Sequence, residues 1–147
     1  MNLSDLYQAS VGESDRKFEV LRSDGAASGH HITVIDPASD KAAKAVFMLG
    51  AAEREKLEKF KADNAELEAD CKEIGNYTAF NLNFEACCKD LRDAFCLEIV
   101  QGWDFENEFS RDELLSAIKN FRAPYLLSLQ RQIITAFTAA SNAHVKK

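Results

Sequence analysis

Three histidines and four cysteines are the side chains of this 147-residue chain best able to act as base, nucleophile or metal ligand. His30 and His31 stand together at a loop–strand junction, and His144 lies near the C-terminal end. None has a carboxylate beside it in sequence on an apolar face, so acid–base work by any of them requires pairing in three dimensions. Cys71, Cys87, Cys88 and Cys96 include no C-x-x-C step and have no histidine nearby in sequence. That spacing fits neither a zinc site nor a disulfide framework. A thiol nucleophile needs a histidine or a cation at close range. Lys89 and Arg92 are close in sequence, but on a helix these cysteines read as small buried hydrophobes. Gly25 and Gly29 bracket a small-residue loop that lacks the Lys-Ser/Thr of a phosphate loop. Asp104, Glu106, Glu108, Asp112 and Glu113 lack the glycine and ligand order of a calcium loop. The chain therefore reads as a non-enzyme with no metal and no cofactor, whose work is to bind other polypeptides.

Composition narrows the class further. Apolar residues make up 46% of the chain and ten are Phe, which excludes a disordered polymer and gives one domain over 1–147 a real core. A net charge of -6 argues against a nucleic-acid binder, which needs a basic face. Residues 122–147 contain no Asp or Glu, while Arg122, Arg131, Lys146 and Lys147 are cationic. The acid excess therefore sits in the remainder. The N-terminus shows no basic region followed by an apolar run, and no stretch reaches membrane-spanning length. The expectation is a reduced, cytoplasmic protein without membrane contact.

The elements follow from periodicity. Residues 17–22 and 31–35 read as two strands joined by a long small-residue loop over 23–29, a β-ribbon region within 1–36. Such a ribbon is marginal alone, so it must pack on helices or pair with another copy of itself. A short helical turn is expected at 4–9. Residues 37–147 read as about four helices, two of them long, giving a mostly α (α+β) fold. Asp36 and Pro37 suit a helix start, with the pattern running to about Ile74. Its first half, 42–52, is Ala-rich with Val46, Phe47, Met48 and Leu49 and reads as buried. Its second half is charged, with Phe60, Leu67 and Ile74 recurring every seven residues, the spacing of a self-association seam. The second long helix, to Val100, carries Phe84, Cys88, Leu91, Phe95 and Ile99 on one stripe. Ser110 and Glu113 form a capping box, with Phe109 and Leu114 placed as a hydrophobic staple. Pro124 opens the last helix, whose stripe is Leu126, Leu129, Ile133 and Phe137, and fraying is expected over 139–147.

Between these helices lies an acidic-aromatic corner, residues 102–109. Trp103, Phe105 and Phe109 suit either of two roles. They can plug the core and fix the helix-to-helix angle, or they can form an aromatic cluster that receives an apolar helix.

The C-terminal half resembles the tail assembly chaperones of long-tailed bacteriophages and prophages. The resemblance is carried by Ile99, Val100, Gln101, Gly102 and Trp103, then the acidic-aromatic link, Phe109-Ser110, Leu114-Leu115 and the segment led by Pro124. The upstream order agrees: Phe18-Glu19-Val20 and Ile32-Thr33-Val34, then a long charged helix. The match is strongest from about Leu91 to Phe137; a cysteine-rich helix is not a feature of the family. The resemblance implies a non-enzymatic protein of the infected host's cytoplasm. Such a protein coats the apolar tape-measure protein, helps recruit tail-tube subunits and is absent from the finished virion. It also implies, in many members, a longer frameshifted form. The competing expectation is a structural or adaptor phage protein, such as a tail completion or minor tail component, which stays in the particle.

Overall fold

The structure is a computed structural model that describes residues 15–145, with side chains described through residue 139. It is mostly helical, with a three-stranded antiparallel sheet. The short turn expected at 4–9 lies outside the described residues. Strands β1 (Arg16–Leu21) and β2 (Ala27–Val34) form the expected hairpin. Their connection is tight rather than long: Arg22 N donates to Ala26 O at 2.8 Å and Gly25 N to Arg22 O at 2.9 Å. Gly25 has φ +86° there, a conformation that glycine adopts without steric cost. Asp24 Oδ1 accepts from Ala26 N and completes the turn.

The third strand, β3 (Val100–Trp103), is not expected from the sequence. It follows a helix directly and pairs antiparallel with β2, placing Trp103 opposite Ile32 and Gly102 opposite Thr33. β2 is thus central, and the ribbon is completed by residues from the helical half. One buried cluster joins both regions: Val20, Ile32 and Val34 from the sheet meet Phe95, Ile99, Leu114, Ile118, Ile133 and Phe137 from the helices.

Six helices, rather than about four, occur among the described residues. The first long helix is divided into α1 (Asp40–Asp63) and α2 (Ala65–Ile74). The break is at Asn64, whose backbone (φ -124°, ψ 33°) leaves the helical region and whose Nδ2 donates back to Phe60 O, a local side-chain bond that competes with regular helix. The helix also starts later than Pro37. Asp36 closes a turn with Ala38 and Ser39, and Ser39 Oγ caps α1 by accepting from Ala42 N. The second long helix is divided at Cys88 into α3 (Thr78–Cys87) and α4 (Lys89–Ile99). At that break Lys56 Nζ donates to the Cys87 carbonyl at 2.6 Å, giving it a partner outside the helix.

Helix α5 (Arg111–Asn120) begins where the capping box places it, with Ser110 Oγ accepting from Glu113 N at 3.1 Å. Pro124 does not open the last helix. It precedes a 3-10 turn (Tyr125–Leu127), and α6 (Leu129–Val145) starts after Ser128, whose Oγ accepts from Arg131 N. Leu126 consequently leaves the stripe and is exposed, whereas Leu129, Ile133 and Phe137 are buried. α6 runs as helix to Val145.

The linker between α5 and α6 is pinned by a buried carboxylate. Asp93 of α4, 3% exposed, accepts from Arg122 Nη2 at 2.7 Å and from Gln130 Nε2 at 2.6 Å. A buried charge survives only with such partners. A second brace links three helices: Arg92 of α4 pairs with Glu85 of α3 and with Glu53 of α1. The hydrogen bond and charge of Glu85 hold the Arg92 guanidinium above its ordinary pKa. The Arg92 hydrogen bond in turn holds the Glu85 carboxyl below the usual carboxylate range.

Candidate binding surfaces

The aromatic corner is built on β3 and the turn that follows it. Trp103 Nε1 donates to Asn107 O at 2.7 Å, which folds residues 103–107 back on themselves. The indole meets Phe105 and Phe109 edge to face, with centroids 5.9 and 4.8 Å away, a favoured arrangement of aromatic quadrupoles. All three rings are half-buried and pack against the main core. Trp103 and Phe105 also line a hollow of about 410 Å³ between the sheet and α5, shared with Val20, Ile32, Phe121 and Leu129. The three residues are therefore brought together, but only part of their surface faces outward.

The fold also brings the two loop histidines to a carboxylate 73 or more residues away. His31 N donates to Asp104 Oδ1 at 2.5 Å, and His31 Nδ1 lies 3.1 Å from Oδ2. His30 Nδ1 lies 3.6 Å from Oδ1, and its ring stacks on Phe105 with centroids 5.0 Å apart. The His31 backbone N–H, supported by its imidazole, holds the Asp104 carboxyl below the usual carboxylate range. The trio is exposed, lines none of the hollows described here and contains no thiol. Its visible work is to tie β2 to the start of the corner. The cysteines lie elsewhere: Cys96 is in the main core and Cys71 in a satellite cluster, while Cys88 is buried at the α3–α4 break. Burial pushes the Cys88 and Cys96 thiols up, away from the thiolate that a nucleophile requires. No group of three His, Cys, Asp or Glu side chains that could hold a metal ion occurs among the described residues. No described helix is long and apolar enough to cross a membrane.

The seam expected for self-association does not form one surface. Phe60 is buried with Cys71 and Phe80 where α1, α2 and α3 meet, its ring edge-on to Phe80 at 5.0 Å. Leu67 packs against the same cluster, whereas Ile74 is 75% exposed. The break at Asn64 is the reason. It removes the continuous helix on which a seven-residue repeat would stay in line, and the bend turns the apolar positions upon each other.

Three consecutive apolar residues that sequence reasoning placed in the core are exposed. On α1, Val46, Phe47 and Met48 are 48%, 71% and 60% exposed. The inward positions of α1 are instead Ala42, Ala45, Leu49 and Ala52, at helical spacing, continuing to Leu57 and Phe60. These small residues leave an open groove of about 580 Å³ between α1 and α4. Met48, Leu49, Leu91, Ala94 and Phe95 give the groove its apolar walls, while Lys41, Lys44 and Glu98 stand at its margins. Of Val46, Phe47 and Met48 only Met48 lines the groove; Phe47 and Val46 are exposed further round α1, about 100° and 200° from Met48. The available signal was the run of alanines at 42, 45 and 52 with Leu49, which marks the face that approaches another helix and leaves 46–48 outside it. No protein-family model, curated protein or solved structure matches this chain.

Proposed function

We propose that this protein is a tail assembly chaperone of a long-tailed bacteriophage or prophage. In this reading it is a non-enzymatic binder that keeps the apolar tape-measure protein soluble in the host cytoplasm and helps recruit tail-tube subunits. The observation that carries the reading is the open apolar groove between α1 and α4, walled by Met48, Leu49, Leu91, Ala94 and Phe95, with Phe47 exposed on the adjoining flank of α1. An open apolar groove is a usual mark of a binding site. The groove suits an amphipathic helix, whose apolar side chains enter between α1 and α4 while Lys41, Lys44 and Glu98 set its direction. The hollow at Trp103 and Phe105, with Phe109 behind it, is the second contact. The resemblance over residues 91–137 supports the identity of the client.

The mechanism is physical. A long apolar helical polypeptide aggregates when bare; many copies of a small acidic protein cover its apolar face and present like charge outward. Co-expression with a segment of the tape-measure protein tests this directly. The soluble yield of the segment rises with the wild-type protein and falls back with Met48→Asp. An unchanged yield with the wild-type protein overturns the reading, as does finding the protein as a stoichiometric part of finished particles.

A further inference from the structure

The β1 edge of the sheet has no partner strand among the described residues, and its sequence is self-complementary. β2 uses alternate residues to pair on its two sides. Asp104 N donates to His31 O, so His31 and Thr33 turn toward β3, and Ile32 and Val34 turn toward β1. Their partners on β1 are Phe18 and Arg16. The main-chain groups of Lys17, Glu19 and Leu21 therefore point outward, away from β2. Leu21 confirms the alternation and also ends the free stretch. Its N–H donates to Gln132 Oε1 at 2.8 Å, and its carbonyl accepts from Gln132 Nε2 at 3.0 Å. One side chain of α6 thus occupies both outward groups at Leu21, and those of Lys17 and Glu19 are an open edge among the described residues.

We propose that this edge pairs with the same edge of a second copy of the chain, antiparallel about a two-fold axis at Phe18, joining two sheets into one of six strands. The register is fixed by three conditions. Outward-facing residues must oppose one another, Leu21 is already taken, and like charges directly opposite repel. Placing Lys17 opposite Lys17, or Glu19 opposite Glu19, breaks the last condition, and the second of these also requires Leu21. Placing Lys17 opposite the partner's Glu19 satisfies all three. It forms four main-chain hydrogen bonds, two from each Lys17–Glu19 pair, and two cross-strand ion pairs on the exposed face. On the opposite face it sets Phe18 against Phe18 at the axis, where non-hydrogen-bonded side chains approach most closely. The side chains are ready for this. Lys17 has no ion-pair partner among the described residues, and Glu19 spends only Oε2, accepting from Gly29 N at 3.0 Å. The α1–α4 groove includes no residue of β1, so each copy keeps it. An edge left bare in this way is a template for further pairing unless it is blocked or matched. Here Gln132 blocks one end, and the Lys-Phe-Glu sequence matches the rest to itself.

The test is the oligomeric state of the full chain by light scattering after size exclusion, from micromolar to submillimolar concentration. The wild type is expected to pass from monomer to dimer over this range. Lys17→Glu and Glu19→Lys each place like charges opposite one another twice and weaken the dimer by roughly 10- to 30-fold. The double variant Lys17→Glu/Glu19→Lys restores it to within about threefold, because the pairs are re-formed with reversed sign. Lys17→Pro removes an outward N–H without touching the β1–β2 ladder, and abolishes the dimer while circular dichroism stays native. If Lys17→Pro disturbs folding, the charge reversals decide alone. A wild type that stays monomeric at submillimolar concentration overturns the proposal. So does a dimer that is indifferent to Lys17→Glu or not rescued by the double variant.

Discussion

Truncating Phe47 and Met48 of α1 separates binding from folding, and the two effects can be sized in advance. In the variant Phe47→Ala/Met48→Ala, the side chains removed are 71% and 60% exposed in the free protein. Full burial of a Phe or Met side chain is worth about 1.5–3 kcal/mol. Scaling by the surface still open leaves about 2–4 kcal/mol available to a client that covers both. That corresponds to a roughly 30- to 800-fold weaker Kd. The cost to the fold is small, because few contacts are lost and alanine is the better helix former at both positions. A shift in Tm of no more than about 3 °C is expected for a chain of this size. The assay is fluorescence anisotropy with a labelled apolar helical peptide taken from the tape-measure protein, run beside a thermal melt. An unchanged Kd refutes the assignment of this pair to the client. A fall in Tm of about 10 °C or more refutes it differently, because the pair would then belong to the core.

The buried carboxylate gives an ordering: Arg122→Leu strands Asp93 with Gln130 alone and costs about 3 kcal/mol, a fall in Tm of roughly 6–12 °C, whereas Asp93→Asn costs less because Arg122 is one-third exposed and can rehydrate. Melts of the two variants check the order, and the reverse order contradicts the role given to the pair. Asp104 makes a pH prediction. Because its folded pKa lies below the usual value, its contribution to stability is fully present above about pH 4 and is lost as pH falls through the lowered value. Asp104→Asn therefore flattens the acid limb of a stability–pH curve measured by urea unfolding and leaves the neutral region level. Among the cysteines only Cys87 is exposed, so iodoacetamide under native conditions labels one thiol per chain quickly, and mass mapping finds it at Cys87. Fast labelling at Cys96 would contradict the packing of α4.

Helix faces were legible wherever one stripe does all the burying. Cys88 at the α3–α4 break, Phe95 and Ile99 on α4, and Ser110 ahead of α5 lie where periodicity and capping chemistry put them. The breaks were not legible, because the backbone departures at Asn64 and Cys88 carry no proline or glycine signal in the sequence. β3 was hidden because four residues directly after a helix show no period of their own, and its partner β2 lies nearly seventy residues earlier. The pairing of His30 and His31 with Asp104 was hidden for the same reason of separation. The exposure of Val46, Phe47 and Met48 was misread because 46–48 are apolar. Apolar character alone does not say which way a helix faces, and the flanking alanines at 42, 45 and 52 carried that information. Of the proposed client residues, Trp103, Phe105 and Phe109 were recognisable as a cluster from sequence, but their half-burial depends on β3.

The central claim is that this chain binds an apolar helical polypeptide and keeps it in solution. The most direct measurement is the mass, by light scattering or native mass spectrometry, of the species formed when the purified protein is mixed with a soluble-fusion segment of the tape-measure protein whose fusion partner is then cleaved away. The expected result is a soluble complex holding several copies of the chain on one segment. Precipitation of the segment at the same rate with and without the protein, while the protein elutes alone, would contradict it.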